Sequence, residues 1–390
     1  MIKKVKLGDL VEFQRGYDLP KNNAKGGRYP VVTSNGIMTY HDEYRSRKSV
    51  VIGRSGTIGN PQLIECDFWP HNTTLYVKDF KNNNIEYIYY LLLNMDIGKM
   101  KSGSNIPTLN RNHLHPLEVL AEMDIEKQKN LVGVLKAIDN KIENNNKVNV
   151  ELESMAKTIY DYWFLQFEFP NEDGKPYKSS GGKMVWNEEL KREIPAGWKV
   201  KGLEYFGLLS NGINYDKEEA GDKKYKIVNV RNISSSLLFV NKSELDEIVL
   251  KANVADKYLL KRNDILIARS SIPGAVRVLD DIDNTIYCGF IIRLELPSDL
   301  YRSYLVYQLK GYENTTATTS GGTIMQNVSQ STLKGLRFAV PDKKSVLTFN
   351  QKVYSIWAMI KVHMNENEEL ISLRKYLLPL LMNGQIVFKE

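Results

Sequence analysis

The chain has 390 residues, too many for one ordinary core and enough for two domains with connecting elements. Its 42% hydrophobic and 25% charged residues fit a folded, soluble chain, and no apolar stretch approaches the ~18 residues of a membrane span. The net charge of +7 permits a polyanionic partner without requiring one, and Cys66 and Cys288, far apart and without paired neighbours, exclude a disulfide framework or a cysteine zinc site.

No charged, then apolar, then small-residue pattern follows Met1, so no signal peptide is expected and a reducing cytoplasm is the default compartment. Residues 1–122 form a first block with 16 basic and 12 acidic side chains. It opens on Val5-Lys6-Leu7 and contains the apolar run Val50-Val51-Ile52-Gly53. That run reads as a buried strand ending in Arg54-Ser55, with glycine turns at Gly56 and Gly59. Polar clusters lie between the strands, at Thr33-Ser34-Asn35-Gly36 and His71-Asn72-Thr73-Thr74. Gly103-Ser104-Asn105-Ile106 follows, and Leu114-x-x-Leu117 leads into a further strand.

Residues 123–167 hold the first of two long helices, with Asp124 as its N-cap. Leu131, Leu135, Ile138, Ile142, Asn145, Asn149, Leu152, Ala156, Ile159 and Trp163 recur along it in alternating steps of four and three, the spacing of a coiled-coil seam. Residues 168–195, rich in Pro, Gly, Lys and Glu, read as a linker.

Residues 196–341 form a second block, with 19 basic and 16 acidic side chains, that echoes the first. Val200-Lys201-Gly202-Leu203 matches its opening, and Ile265-Leu266-Ile267-Ala268-Arg269-Ser270 matches the strand ending in Arg-Ser. Gly321-Gly322-Thr323-Ile324 and Leu333-x-x-Leu336 match the later segments, while Asn229-Val230-Arg231-Asn232 is another polar cluster. One departure is Ser271-Ile272-Pro273 where the first block has Gly56-Thr57, which leaves a shared loop role open. Residues 342–384 hold the second helix, closed by Asn383-Gly384, and 385–390 form a tail.

The second seam runs Phe349, Val353, Ile356, Ile360, His363, Asn367, Leu370, Arg374, Leu377 and Leu381, offset from the first by 218 at every position. Both seams are apolar at the ends and polar midway. An antiparallel pair alone brings Asn145 and Asn149 opposite Asn367 and His363, where polar groups satisfy one another. Such a pair would set the two blocks at opposite ends of a rod of roughly 60 Å, at ~1.5 Å per residue. The fold class expected is therefore α+β: two mixed α/β domains and two long antiparallel coiled-coil helices, in an internal pseudo-two-fold repeat.

With this plan the chain resembles the specificity subunits of type I restriction–modification systems. The most specific matches are Ile159-Tyr160-Asp161-Tyr162-Trp163-Phe164 running on to Phe167-Glu168-Phe169-Pro170, then Ile194-Pro195-Ala196-Gly197-Trp198, and the closing 377–384 segment. The resemblance implies a prokaryotic cytoplasmic subunit that binds double-stranded DNA, two modification (methyltransferase) subunits and a restriction (translocase and nuclease) subunit. S-adenosylmethionine, ATP and magnesium would then belong to those partners, and none to this chain.

Polar loops on a β-rich frame suit reading base edges and gripping phosphates, and suit ordinary turns equally. The DNA-binding candidates are Thr33, Ser34, Asn35, Arg54, Ser55, Thr57, Asn72, Ser104 and Asn105 in the first domain. In the second they are Asn229, Arg231, Asn232, Arg269, Ser270, Ser271, Thr323 and Gln326. Apolar and aromatic residues crowd the helix ends, and Tyr160, Trp163, Phe164, Leu377, Leu378 and Leu381 are candidates for subunit docking, or for packing on the neighbouring domain.

No catalytic constellation is visible. Neither a glycine-rich cofactor loop nor an Asn-Pro-Pro-aromatic box of an adenine methyltransferase occurs, and Gly53-x-x-Gly56-x-x-Gly59 lacks the spacing of a dinucleotide or phosphate loop. His71, His113 and His115 have no ligand spacing, and His113 and His115 read as surface residues before a strand. Glu65 and Asp67 near Lys78 could imitate a nuclease cluster. The readings to separate are a DNA-recognition subunit, a structural tether for two protein-binding modules, and a fused enzyme.

Overall fold

The computed structural model describes residues 2–19, 26–95, 97–99, 108–215, 221–280, 282–313 and 327–386. It divides into two compact units, one of residues 1–143 with 369–390 and one of residues 144–368. Each unit holds one of the two repeated blocks and its own stretches of the two long helices.

The first unit is built on three small sheets. Ile2–Lys6 pairs antiparallel with Glu118–Glu122, joining the start of the domain to its end. Four antiparallel strands lie in the order Glu12–Arg15, Thr74–Asp79, Ser49–Gly53, Pro61–Ile64. Three more lie in the order Gly36–His41, Tyr29–Thr33, Trp69–Pro70, the last pair parallel. Ser49–Gly53 is buried along its whole length because β-branched side chains fill both faces. Ile85–Asn94 is a helix capped by Asn84, whose Oδ1 accepts from the Tyr87 amide at 2.8 Å.

The second unit repeats this scheme strand for strand. Lys199–Gly202 pairs with Arg337–Val340. Leu208–Asn211, Ile291–Glu295, Ile265–Ala268 and Val276–Val278 form the four-stranded sheet. Asp246–Leu250, Lys223–Val228 and Thr285–Tyr287 form the three-stranded sheet, again with its last pair parallel. The repeat is thus one of topology and register, beyond the few matched sequence blocks.

The segment 168–195, expected as a linker, folds onto the second unit. Met184–Asn187 and Arg192–Pro195 form a hairpin. Phe169 stacks on Tyr177 and Trp198 at ring distances of 4.7 and 5.1 Å. Gly174 and Gly181 take left-handed turn positions, Pro170 and Pro176 pair in a β-bridge, and apolar burial at Phe169 and Ile194 holds the segment in place.

The first long helix runs Ile125–Tyr160 and continues as a π-helical turn, Asp161–Leu165. Asp124 Oδ1 accepts from the amides of Glu126 and Lys127, the cap expected. The second runs Lys343–Met382, and Gly384, with φ +71°, ends it. Within the second unit the two helices meet antiparallel at their polar positions. Asn145 donates to Asn367 at 2.9 Å, Asn149 Oδ1 faces His363 Nδ1 at 2.8 Å, and Asn367 donates in turn to Asn146 at 2.9 Å. Within the first unit Arg374 pairs with Asp139, beside Leu131, Leu135, Leu378 and Leu381 in one core.

Candidate nucleic-acid interface

Each four-stranded sheet ends its central buried strand in a loop of six residues, Arg54-Ser55-Gly56-Thr57-Ile58-Gly59 or Arg269-Ser270-Ser271-Ile272-Pro273-Gly274. The two loops share Arg, Ser and the final Gly, differ at the three positions between, and follow the same backbone. The third residue is left-handed in both, Gly56 at φ +82° and Ser271 at +65°, and so is the sixth, Gly59 at +76° and Gly274 at +83°. The sixth amide closes each turn, Gly59 onto the Gly53 carbonyl at 3.0 Å and Gly274 onto the Ala268 carbonyl at 2.9 Å. The departure at Ser271-Ile272-Pro273 therefore leaves the loop geometry intact. Gly59 is also sterically required, because a Cβ there would lie 2.3 Å from the Gly98 nitrogen.

The arginine heading each loop is clamped by its backbone. Arg54 donates its amide to the Thr73 carbonyl at 2.8 Å and accepts from the Leu109 amide at 2.8 Å. Arg269 donates to Phe290 at 2.9 Å and accepts from Val328 at 2.8 Å. A fixed backbone positions each guanidinium at the end of its strand. That of Arg269 also donates to the Gly289 carbonyl at 2.9 Å.

In the first unit Arg54 lines an open cleft of about 560 Å³ with Gln14, Arg15, Tyr17, Asp18, Asn110, Arg111 and Asn112. Arg15 comes from the edge strand, and Arg111 opens the short helix Arg111–Leu114 that Asn110 caps. Three arginines against the lone carboxylate Asp18, which is 3.3 Å from Arg15, leave the cleft cationic. An exposed pair of that kind neutralises little. Such a set can grip a phosphate or the acceptor edge of a base.

Several expected contacts have other duties. Asn232 is buried, accepting from the Asn229 amide at 2.9 Å and donating to the Glu244 carbonyl at 3.0 Å. Its amide is consumed in capping the helix Val230–Ser235, so it is not free to read a base. Ser34 is buried as well. Thr33 bonds within its own turn, to the Gly36 carbonyl at 2.9 Å. Arg231 and Asn229 both bind the Asp246 carboxylate, and Asn72 binds Asp18. Thr57 and Asn35 are exposed and share a hydrogen bond of 2.6 Å; Ser271 is exposed, and Ser55 and Ser270 are half-buried. Ser104, Asn105, Thr323 and Gln326 lie outside the described residues.

Five of the six docking candidates are buried, as the packing alternative expects, and Leu377 is partly buried. Tyr160, Trp163 and Phe164 sit in the core of the second unit, with Tyr160 bonded to Gln308 at 2.7 Å. Leu378 and Leu381 are in the core of the first, and Leu377 packs against it. Apolar side chains so enclosed are held by their own unit and offer no free face; the exposed ones in these segments are Tyr162, Leu165 and Tyr376. His113 and His115 belong to the turn of a short helix, and His115 Nε2 accepts from the Phe13 amide at 3.1 Å. Glu65 faces Lys48 while Lys78 faces Glu12, so no acidic cluster forms there. Among the described residues no group of three or more His, Cys, Asp or Glu side chains could hold a metal ion, and no helix is long and apolar enough to cross a membrane.

Fold and site thus define a chain of two units of one topology, each presenting an arginine-headed loop at the end of a buried strand. Residues 2–154 match the model of the type I restriction modification DNA specificity domain. The type I restriction enzyme MjaIX specificity subunit of Methanocaldococcus jannaschii is 26% identical over all of this chain and 94% of its own length. The HindI specificity subunit of Haemophilus influenzae is 23% identical, over 77% of each protein. The crystal structure of the type I system S subunit from M. genitalium shares the fold, with a TM-score of 0.55, 16% identity, and coverage of 98% of this chain and 96% of that one. The chain as a whole is thus similar to type I restriction enzyme specificity subunits, and residues 2–154 match their DNA specificity domain.

Proposed function

We propose that this chain is the DNA-sequence-specificity subunit of a type I restriction–modification enzyme, without a catalytic site of its own. Each recognition domain reads one half of a bipartite, asymmetric target in double-stranded DNA, and an unread spacer between the halves follows the length of the two helices. The partners are two modification subunits, which carry S-adenosylmethionine and methylate adenine, and a restriction subunit, which uses ATP and magnesium.

One observation supports this reading above the others: two equivalent loops hold an arginine in the same clamped geometry, and one of them faces a cleft with two further arginines. A tether for protein modules has no use for that convergence of guanidinium groups. The test uses the full chain with its modification subunits, measuring duplex affinity against salt and mapping methylated adenines. Phosphate contacts release counterions, so the affinity is expected to fall steeply with salt, and the map to show two unlike half-sites. Duplex affinity that ignores salt, with no methylation, would return the chain to the tether class.

A further inference from the structure

The matched hydrogen bonds of the two units align them residue by residue around the arginine-headed loop. Tyr17 and Ile213 donate to equivalent strands, at Pro70 and Tyr287, so Arg15 in the first unit corresponds to Asn211 in the second. Leu109 and Val328 donate to Arg54 and Arg269, so Arg111 corresponds to Gln330. The amides of Arg54 and Arg269 reach Thr73 and Phe290, which correspond likewise. The same frame therefore carries different chemistry at its mouth.

In the first unit, Arg15, Arg54 and Arg111 offer donors only. In the second, Gln330 donates to Asn211 at 3.0 Å, a bond that leaves the Asn211 amide as donor and the Gln330 carbonyl as acceptor. Phe290 stands beside Arg269 with 61% of its surface exposed, where the first unit has a threonine. In the major groove guanine presents two acceptors, adenine an acceptor and a donor, and thymine a methyl group. A donors-only arginine set matches guanine and opposes the adenine amino group. The amide pair matches adenine, and an exposed phenyl ring matches the thymine methyl.

We propose that Arg15 and Arg111, with Arg54, select a G·C pair in the first half-site, and that Asn211, Gln330 and Phe290 select an A·T pair in the second. This rests on the DNA-recognition reading and adds the base classes and the residues that choose them.

The experiment uses the full chain with its modification subunits on duplexes of the mapped target, with single-base analogues placed in turn. Replacing guanine by 7-deazaguanine removes one acceptor, and at one position of the first half-site it should weaken binding by about 5- to 150-fold. Replacing thymine by uracil removes the methyl, and at one position of the second half-site it should weaken binding several-fold. In the Phe290→Ala protein that uracil effect should vanish. The double variant Arg15→Asn, Arg111→Gln should lose its preference for guanine at one position while the other half-site is read as before. Equal weakening on every sequence, with a shallower salt dependence, would make the arginines phosphate clamps and overturn the proposal, as would indifference to both analogues. Wild-type protein with no salt-dependent duplex affinity would instead overturn the reading beneath it.

Discussion

Arg54 and Asp264 differ in their surroundings, the one lining an open cationic cleft and the other enclosed in the interior of its unit. Arg54 has its backbone fixed at both ends and its head group in the cationic cleft. Arg54→Ala is expected to weaken target binding by roughly 1–3 kcal/mol, read by titration of duplex DNA, with the unfolding midpoint unchanged. Unaltered affinity in a folded variant would remove Arg54 from the interface. Asp264, only 3% exposed, is pushed up to about 6 from the ordinary 3.8 by burial, against which its hydrogen bond from the Lys261 amide and the Arg293 charge work only partly. Between those two values the folded unit holds a proton that the unfolded chain has lost. Stability from this group therefore rises as pH falls from about 6 towards 4, by up to roughly 3 kcal/mol. In Asp264→Asn that increment should be missing when thermal unfolding is compared at pH 7.5 and pH 5. Parallel pH profiles for the two proteins would mean that Asp264 stays ionised in the fold.

At the scale of elements, the polar midpoint of the helix pair invites a direct energetic test. Asn145, Asn149 and Asn367 are buried, and each finds its partner on the facing helix. Asn145→Leu would leave Asn367 Oδ1 and Glu366 without the donor they now share, at a cost of roughly 1–3 kcal/mol in denaturant unfolding. The double variant Asn145→Leu, Asn367→Leu should recover part of that loss, because facing apolar groups leave no orphaned acceptor on Asn367. Additive costs would contradict the pairing. These partners were legible in the sequence, because a seam with one polar stretch at its centre admits only one antiparallel register. The arginine-lined cleft was not. Arg15, Arg54 and Arg111 are spread over nearly a hundred residues, on an edge strand, a loop and a short helix, and only the antiparallel sheet order brings them together. Asn232 misled for the opposite reason: an asparagine in a polar cluster looks the same in sequence whether it caps a helix or meets a base. At the aromatic helix ends the sequence leaves docking and packing undivided, since crowding signals burial without naming what does the burying, and 168–195 supplies part of that cover.

For the molecule as a whole, duplicated topology with divergent mouths is the feature that matters. The strand orders and the clamps on Arg54 and Arg269 coincide, whereas Arg15, Arg111 and Thr73 give way to Asn211, Gln330 and Phe290. A frame held constant while its contact residues change is what reading two different half-sites requires, and a symmetric palindrome would not call for it. The central claim, one half-site per domain, is tested most directly by exchanging residues 196–341 for the matching domain of a relative and mapping methylated adenines in cells that supply the modification subunits. The expected map keeps the half-site read by residues 1–122 and replaces the other. A map in which both halves change together, from a chain that still folds and assembles, would contradict the account.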